Sequence, residues 1–238
     1  MSGTIGIPAN DAARYTLFFA CLSQLHHPPN TAVRWAFGSD RIRGRNNLVR
    51  ESLEAGSEWL WFLDDDHAFA PDLLRRLLAH EVEIVTPVYL QRMMPFAPVV
   101  YMSEDPDGNF EPLFLPDYAG DCGLVEVYAA GTGGMLIRSE VFRAVPEPWF
   151  EHGHASEDLI FCEKAREAGF LIHCDVQAQL GHLTAAAIWP SYADGQWGVG
   201  FTIADQMQLR VPIGTREQLA ELEAQANGGR KRQPGSRA

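Results

Sequence analysis

Glu58-Trp59-Leu60-Trp61-Phe62-Leu63-Asp64-Asp65-Asp66-His67 is the stretch on which the reading of this chain turns. Its first six residues, mainly apolar and rich in aromatics, read as a buried strand. Three adjacent carboxylates follow at the strand's carboxyl end, where they repel one another unless a counter-charge is near. In an open α/β sheet that end of a strand is also where ligands bind. Two carboxylates at i and i+2 can reach one hard cation, which in turn can clamp a diphosphate. The same run also reads as a solvated acidic turn before the next helix, so alone it leaves both readings open.

Working outward, strand and helix signals alternate on both sides of this run. Thr4 to Ile7 reads as a short buried strand stopped by Pro8. A helix capped by Asn10 or Asp11 then runs to about Leu25, with Leu17, Phe18, Cys21, Leu22 and Leu25 on its buried side. A strand over Ala32 to Phe37, a polar loop from Gly38 to Gly44 and a helix over Asn46 to Ala55 closed by Gly56 lead into the acidic stretch. Pro71 suits the first turn of a helix continuing over Asp72 to Ala79, and Glu83 to Val88 returns as a strand. The alternation predicts a single α/β domain over residues 1–227, with a mostly parallel central sheet flanked by helices.

The later chain is less regular. Pro95 to Tyr118 reads as an extended excursion, with strands near Leu124–Ala129 and Gly134–Ile137. Ser156 opens a helix closed by Gly169, and Phe170 to Cys174 resumes a strand. Thr215-Arg216-Glu217-Gln218 has the form of a capping box. The segment 228–238, with Arg230, Lys231, Arg232 and Arg237 and no acid, reads as a basic, disordered tail.

Nineteen Lys and Arg against 31 Asp and Glu give a formal charge of -12, which disfavours nucleic acid as a partner. A phosphorylated small molecule stays possible, because a bound divalent cation inverts the local field. The four cysteines form no CxxC pair and no disulfide framework. Neither a basic-then-apolar leader nor a run of roughly 18 apolar residues is present, which reads as a soluble, cytoplasmic protein without a membrane span.

Three blocks in order extend the argument. GRNNLVRESLEAGSEWLWFLDDDHAFAPDLLRRLL, GTGGMLIRSEVFRAV and SEDLIFCEKAREAGFLIHCDVQAQLGH together cover most of residues 4–183. They resemble the core of GT-A-fold (Rossmann-like) glycosyltransferases of the family 2 type. The shared features are an Arg-Asn pair, a hydrophobic strand into a DxD motif, a glycine strand, an ED helix and a late histidine. The small size is similar to that of compact bacteriophage-encoded members.

The resemblance implies a sugar transferred from a nucleotide-diphosphate donor, with UDP favoured, to an acceptor hydroxyl. Asp64 and Asp66 match the carboxylates that hold Mn2+ (or Mg2+) against the diphosphate, and His182 matches the histidine completing the metal shell. Asp64 and Asp65 also match donor-side positions. Pro8, Ala9 and Asn10 match the loop touching base and ribose, Arg45 and Asn46 the nucleotide-side pair, and Gly133 and Gly134 the close approach to the sugar. Asp40 is a further candidate for base or ribose. Asp158, with Glu157 beside it, matches the general base of inverting members.

Alternatives stay open at several of these positions. Arg41, Arg43, Arg45 and Arg50 equally read as a surface cluster. Glu157 and Asp158 fall in a first helical turn, where the helix dipole favours acids anyway. His182 also reads as a loop histidine. His67, His152 and His154 offer a rival metal set, although no spacing supports a zinc hydrolase. Trp189, Tyr192 and Trp197 suit either stacking on an acceptor or packing on the sheet. A nucleotidyltransferase, a retaining enzyme and an inactive nucleotide- or glycan-binding module are the rival functions. The acceptor is unspecified: a protein such as a phage structural protein, or a glycan, in the host cytoplasm for a phage-encoded enzyme.

Overall fold

The computed structural model describes residues 2–9, 15–38, 40–92, 95–118, 123–184, 187–203 and 207–220. Asn10, Asp11 and the segment 228–238, which carried expectations above, lie outside the described residues. The strands are β1 Ser2–Ala9, β2 Asn30–Phe37, β3 Trp59–Phe62, β4 His67–Phe69, β5 Ile84–Val88, β6 Val100–Glu104 and β7 Phe110–Pro112. They continue with β8 Leu124–Val127, β9 Ala129–Ala130, β10 Leu136–Arg138, β11 Ile172–Leu183, β12 Ala187–Ala193, β13 Gln196–Ile203 and β14 Met207–Pro212. The helices are α1 Thr16–Gln24, α2 Arg41–Glu54, α3 Leu73–Ala79, α4 Ser139–Ala144 and α5 Glu157–Glu167.

The main sheet runs β14-β13-β12-β11-β5-β10-β3-β1-β2, with β4 and β8 also pairing to β11, and β7-β6-β9 form a second sheet. Strand β3 shows why helices cover both faces. Trp59, Trp61 and Leu63 point into a core with Phe18 of α1 and Leu73, Leu74, Leu77 and Leu78 of α3. Leu60 and Phe62 point into the other core, with Leu48 and Val49 of α2, Phe142 of α4 and Phe161 of α5. A strand buried on both faces needs apolar residues at every position, and WLWF supplies them.

The expected mostly parallel, Rossmann-like sheet is corrected by the pairing. Among the described residues, parallel contacts are confined to β1/β2, β1/β3 and β5/β11. Strand β10 is antiparallel to both neighbours, β3 and β5. Strands β4, β8 and β12 are antiparallel to β11, and β12, β13 and β14 pair antiparallel in succession. For β12 and β13 the physical cause is connection length: a parallel return needs a crossover of a dozen or more residues, usually a helix, and only Asp194 and Gly195 join these two strands. Helix-linked alternation in the first half therefore did not extend to the whole chain.

Local signals account for several boundaries. Strand β1 runs through Pro8 instead of stopping there, in register with Ala36 of β2. Gly6 accepts from the Leu63 amide, so Pro8, two residues on, turns its missing N–H toward the side where β3 has ended. Helix α2 begins at Arg41, earlier than expected, because the Asp40 carboxylate accepts from the Arg43 amide as an N-cap. It ends in a Schellman motif: Ser57 N–H bonds the Ser52 carbonyl and Gly56, at φ 68°, bonds that of Leu53. The capping box holds: the Thr215 amide donates to Gln218 Oε1 at 2.9 Å and the Gln218 amide to Thr215 Oγ1 at 3.4 Å. No described helix is long and apolar enough to cross a membrane.

Candidate active site

The carboxyl ends of β1, β3 and β5 meet at one edge of the sheet, which is where the acidic run emerges. A cleft of about 260 Å³ opens there, lined among others by Pro8, Ala9, Asp40, Asp64, Asp65, Asp66 and Arg92. The three carboxylates do not share one counter-charge. Asp64 Oδ1 lies 3.5 Å from Arg45, Asp66 is ion-paired with Arg92, and Asp65 lines the cleft.

Behind Asp66 the sheet builds a histidine pair. Strand β11 extends beyond β5 and pairs antiparallel with the short β4, placing His182 directly opposite His67. Their rings are 5.0 Å apart, and Tyr89 packs edge-on against His67. Ligand atoms of Asp66, His67 and His182 all lie within 4.8 Å of one another. His182 Nδ1–H donates to the Leu90 carbonyl at 2.9 Å, because a carbonyl can only accept. That fixes the tautomer with the Nε2 lone pair facing Asp66 Oδ2, 3.8 Å away.

Burial holds both imidazoles on the neutral side. It pushes His67 well below the usual histidine range, helped by the His182 ring and opposed by the backbone at Gly133. It also lowers His182, with Arg92 adding to it and the Leu90 carbonyl and Asp64 opposing. Yet among the described residues Asp66 Oδ1 and both His67 nitrogens are buried without a well-formed hydrogen bond, the Gly133 backbone being near His67 but out of bonding geometry. An unmade buried bond costs about 1–3 kcal/mol per group, so three orphans in one cluster call for a partner.

Gly133 lets the strand ends approach: a Cβ there would stand 2.7 Å from His67 Cε1 and 2.9 Å from Asp64 Oδ2. Gly134 is hemmed by Leu180 and Pro87 instead, so its role is packing of β11 on the glycine turn.

The second half of the site centres on Arg45. Its side chain is 2% exposed and bridges Glu157 Oε1 at 2.7 Å, Asp158 Oδ1 at 2.6 Å and Asp64. Burial alone would lower the guanidinium pKa, but Asp158, Asp64 and Glu157 outweigh it and the net shift is upward. Thr132 Oγ1 donates to the same Asp158 oxygen at 2.7 Å. Glu157 is buried against Arg45, with exposed Arg41 3.5 Å away. Asn46, taken from the sequence as nucleotide-side, clamps the loop before α5. Its amide donates to the Phe150 carbonyl and accepts from the Phe150 N–H.

Arg92, Thr132 and Tyr89 join the site only through the fold, and His67, expected in a rival metal set with His152 and His154, sits beside Asp66 and His182 instead. The register of β4 on β11 creates the His67–His182 pair, and no local signal in the sequence singles out Arg92. His154 contacts Glu163 at 3.0 Å on the surface, away from His67. Trp189 packs over Gly181, where a Cβ would come within 2.9 Å of its ring, and Trp197 is buried in the core. Tyr192 alone of these aromatics is exposed, at 41%.

No family model matches the sequence, and no curated protein matches it. Solved structures do match, 126 chains in all. Among them is the crystal structure of A197 from STIV, at TM-score 0.56 and 15% identity, covering 89% of this chain and 94% of that one. The likeness at that identity is one of fold, and it spans nearly the whole of both chains.

Proposed function

We propose that this chain is a metal-dependent glycosyltransferase acting on a nucleoside-diphosphate sugar, UDP-linked by preference. The observation that carries the reading is the cluster of Asp66, His67 and His182 behind an acid-lined cleft on the carboxyl edge of the sheet, in which Asp66 Oδ1 and both His67 nitrogens are buried without a hydrogen bond among the described residues. The donor set fits a divalent ion. Carboxylate with two neutral imidazoles suits Mn2+ better than Ca2+, and the His182 tautomer leaves Nε2 free to ligate. This set exchanges Asp64 for His67 relative to the one expected from the sequence. When bound, such an ion supplies charge neutralisation for the departing nucleoside diphosphate.

The chain's own residues divide the remaining work. Pro8 and Ala9 wall the cleft at the end of β1, where base and ribose would lie. Gly133 leaves room for the His67 ring and the Asp64 carboxylate to sit against the glycine turn, which sets Asp64 at the cleft. Asp158, 20% exposed, is held by Arg45 and Thr132 through Oδ1, which orients the carboxylate so that Oδ2 can take the acceptor hydroxyl's proton. That arrangement calls for inversion at the anomeric carbon.

Asp158→Asn should lower transfer by roughly 10²–10⁴-fold, the span of general base catalysis, while nucleotide binding persists. NMR of the product's anomeric configuration is the companion measurement. Normal turnover in the variant, or a product that keeps the donor's configuration, removes Asp158 from the reaction.

One observation favours a second reading, a nucleotide-binding module without turnover. Arg45 already satisfies Glu157 and Asp158 Oδ1, which is sufficient reason for both acids to be there. Donor hydrolysis in the presence of Mn2+ separates the two, since a module would show binding and no hydrolysis.

A further inference from the structure

Two buried orphans of opposite sign lie side by side in the cleft. Arg92 and Asp66 form an ion pair, yet Arg92 Nε and Asp66 Oδ1 are each buried without a hydrogen-bond partner. A closed, purely structural pair would use these atoms, because each unmade buried bond to a charged group is costly. Here the unused acceptor asks for a cation and the unused donor asks for an anion. A single molecule that brings both is a divalent cation on a diphosphate.

Arg92 follows directly on the segment that holds His182. Leu90, two residues earlier, accepts from His182 Nδ1–H and so fixes that ring's tautomer. The Arg92 side chain is 34% exposed and lines the cleft with Asp64, Asp65 and Asp66, so it has room to move. A planar guanidinium matches phosphate oxygens in two-point fashion, which a lysine ammonium does not.

We infer that Arg92 is a counter-ion that exchanges partners: it neutralises Asp66 while the cleft is empty, and on donor entry yields Asp66 to the cation and takes a diphosphate oxygen. This rests on the donor-site reading above and adds to it a residue that selects diphosphate over monophosphate. The exchange has a distinctive sign. Removing Arg92 frees Asp66 for a cation and removes a phosphate ligand, so the two affinities must move in opposite directions.

The test is calorimetric titration of wild type, Arg92→Met and Arg92→Lys with MnCl2 alone, then with UDP and UMP at saturating MnCl2. Thermal midpoints of the ligand-free variants report folding. For Arg92→Met we expect Mn2+ alone to bind several-fold tighter. UDP should bind about 10–100-fold weaker, the worth of one charge-assisted bond, and UMP should be much less affected. Arg92→Lys should fall between, since it keeps charge without the fork.

Mn2+ and UDP affinities that stay unchanged, or fall together, in folded Arg92→Met overturn the exchange and leave the donor site standing. Equal losses for UDP and UMP overturn diphosphate selection. Wild-type protein that binds neither UDP nor GDP with Mn2+ overturns both the exchange and the donor-site reading.

Discussion

Strand β11 carries two acid–histidine–arginine clusters, at its start and at its end, and they are opposites. At Asp175 every valence is used. The carboxylate, fully buried, accepts from Arg76 Nε at 2.6 Å, Arg76 Nη2 at 2.9 Å, His80 Nε2 at 2.8 Å and the amides of Gln177 and Ala178. At His182 the neighbouring Asp66 keeps a buried oxygen unpaired, and His67 keeps both nitrogens unpaired. The same residue types thus serve two ends. A saturated cluster is finished by the fold and staples α3 to β11. An unsaturated one is finished by something that is not the fold.

The largest effect should come from the saturated cluster. Asp175→Asn removes the charge that Arg76 and His80 face; Arg76 is 38% exposed and can rehydrate, so the cost is that of the lost charge-assisted bonds, roughly 3 kcal/mol. Burial works against the Asp175 carboxylate's charge, but the bonds from Arg76 and His80 outweigh it and hold its pKa below the ordinary value. A carboxylate lowered in the folded state contributes stability above its unfolded pKa, near ~3.9, and loses it as pH falls through the lower folded value. Denaturant melts of wild type and variant should therefore differ at pH 7 and converge in strong acid. A gap that persists below the folded pKa would assign the loss to packing rather than charge. Mn2+ should bind the variant as it binds wild type.

The unsaturated cluster should respond the other way round. Mn2+ at about 100 times Kd should stabilise the wild-type fold by about 2.7 kcal/mol, because binding to the folded state adds RT ln(1 + [L]/Kd). Asp66→Ala should abolish that increment; in metal-free protein it also strands Arg92, a loss of about 1–2 kcal/mol that melts without Mn2+ read separately. A full metal shift in Asp66→Ala would place the ion elsewhere and dissolve the contrast between the clusters.

The contrast also marks what could be read from the residues alone. Apolar strands were legible from composition: WLWF, buried on both faces, announces itself by having no polar position. Glycine stops at Gly56 and Gly169 and the Thr215–Gln218 capping box were legible because their signals are local. The antiparallel entry of β10 between β3 and β5 was not, because nothing within residues 136–138 encodes which strands flank it. For the same reason Asp66 and His182 could be singled out from the order of motifs, whereas the partnership of His67 with His182 depends on β4 pairing with β11 in one register. Arg45 was visible and its use was not. Its three carboxylate partners lie 19, 112 and 113 residues away.

Gly133→Ala is the smallest perturbation that still separates the clusters. The new methyl would stand 2.7 Å from His67 Cε1 and 2.9 Å from Asp64 Oδ2, so both side chains must give way. Overpacking of this kind costs about 1–3 kcal/mol, and Asp64, 30% exposed, can relieve part of it by swinging toward the cleft. We expect a loss near the low end of that range, ~1 kcal/mol. The larger consequence falls on geometry. His67, fully buried, has nowhere to retreat, so its ring must turn relative to His182 and Asp66 and the Mn2+ increment should shrink. The saturated cluster is untouched, so the acid-dependent gap between the Asp175 pair of proteins should be the same on the Gly133→Ala background. Full retention of the Mn2+ increment in Gly133→Ala would mean that His67 is not a ligand, and that its two bare nitrogens belong to the packing of the core.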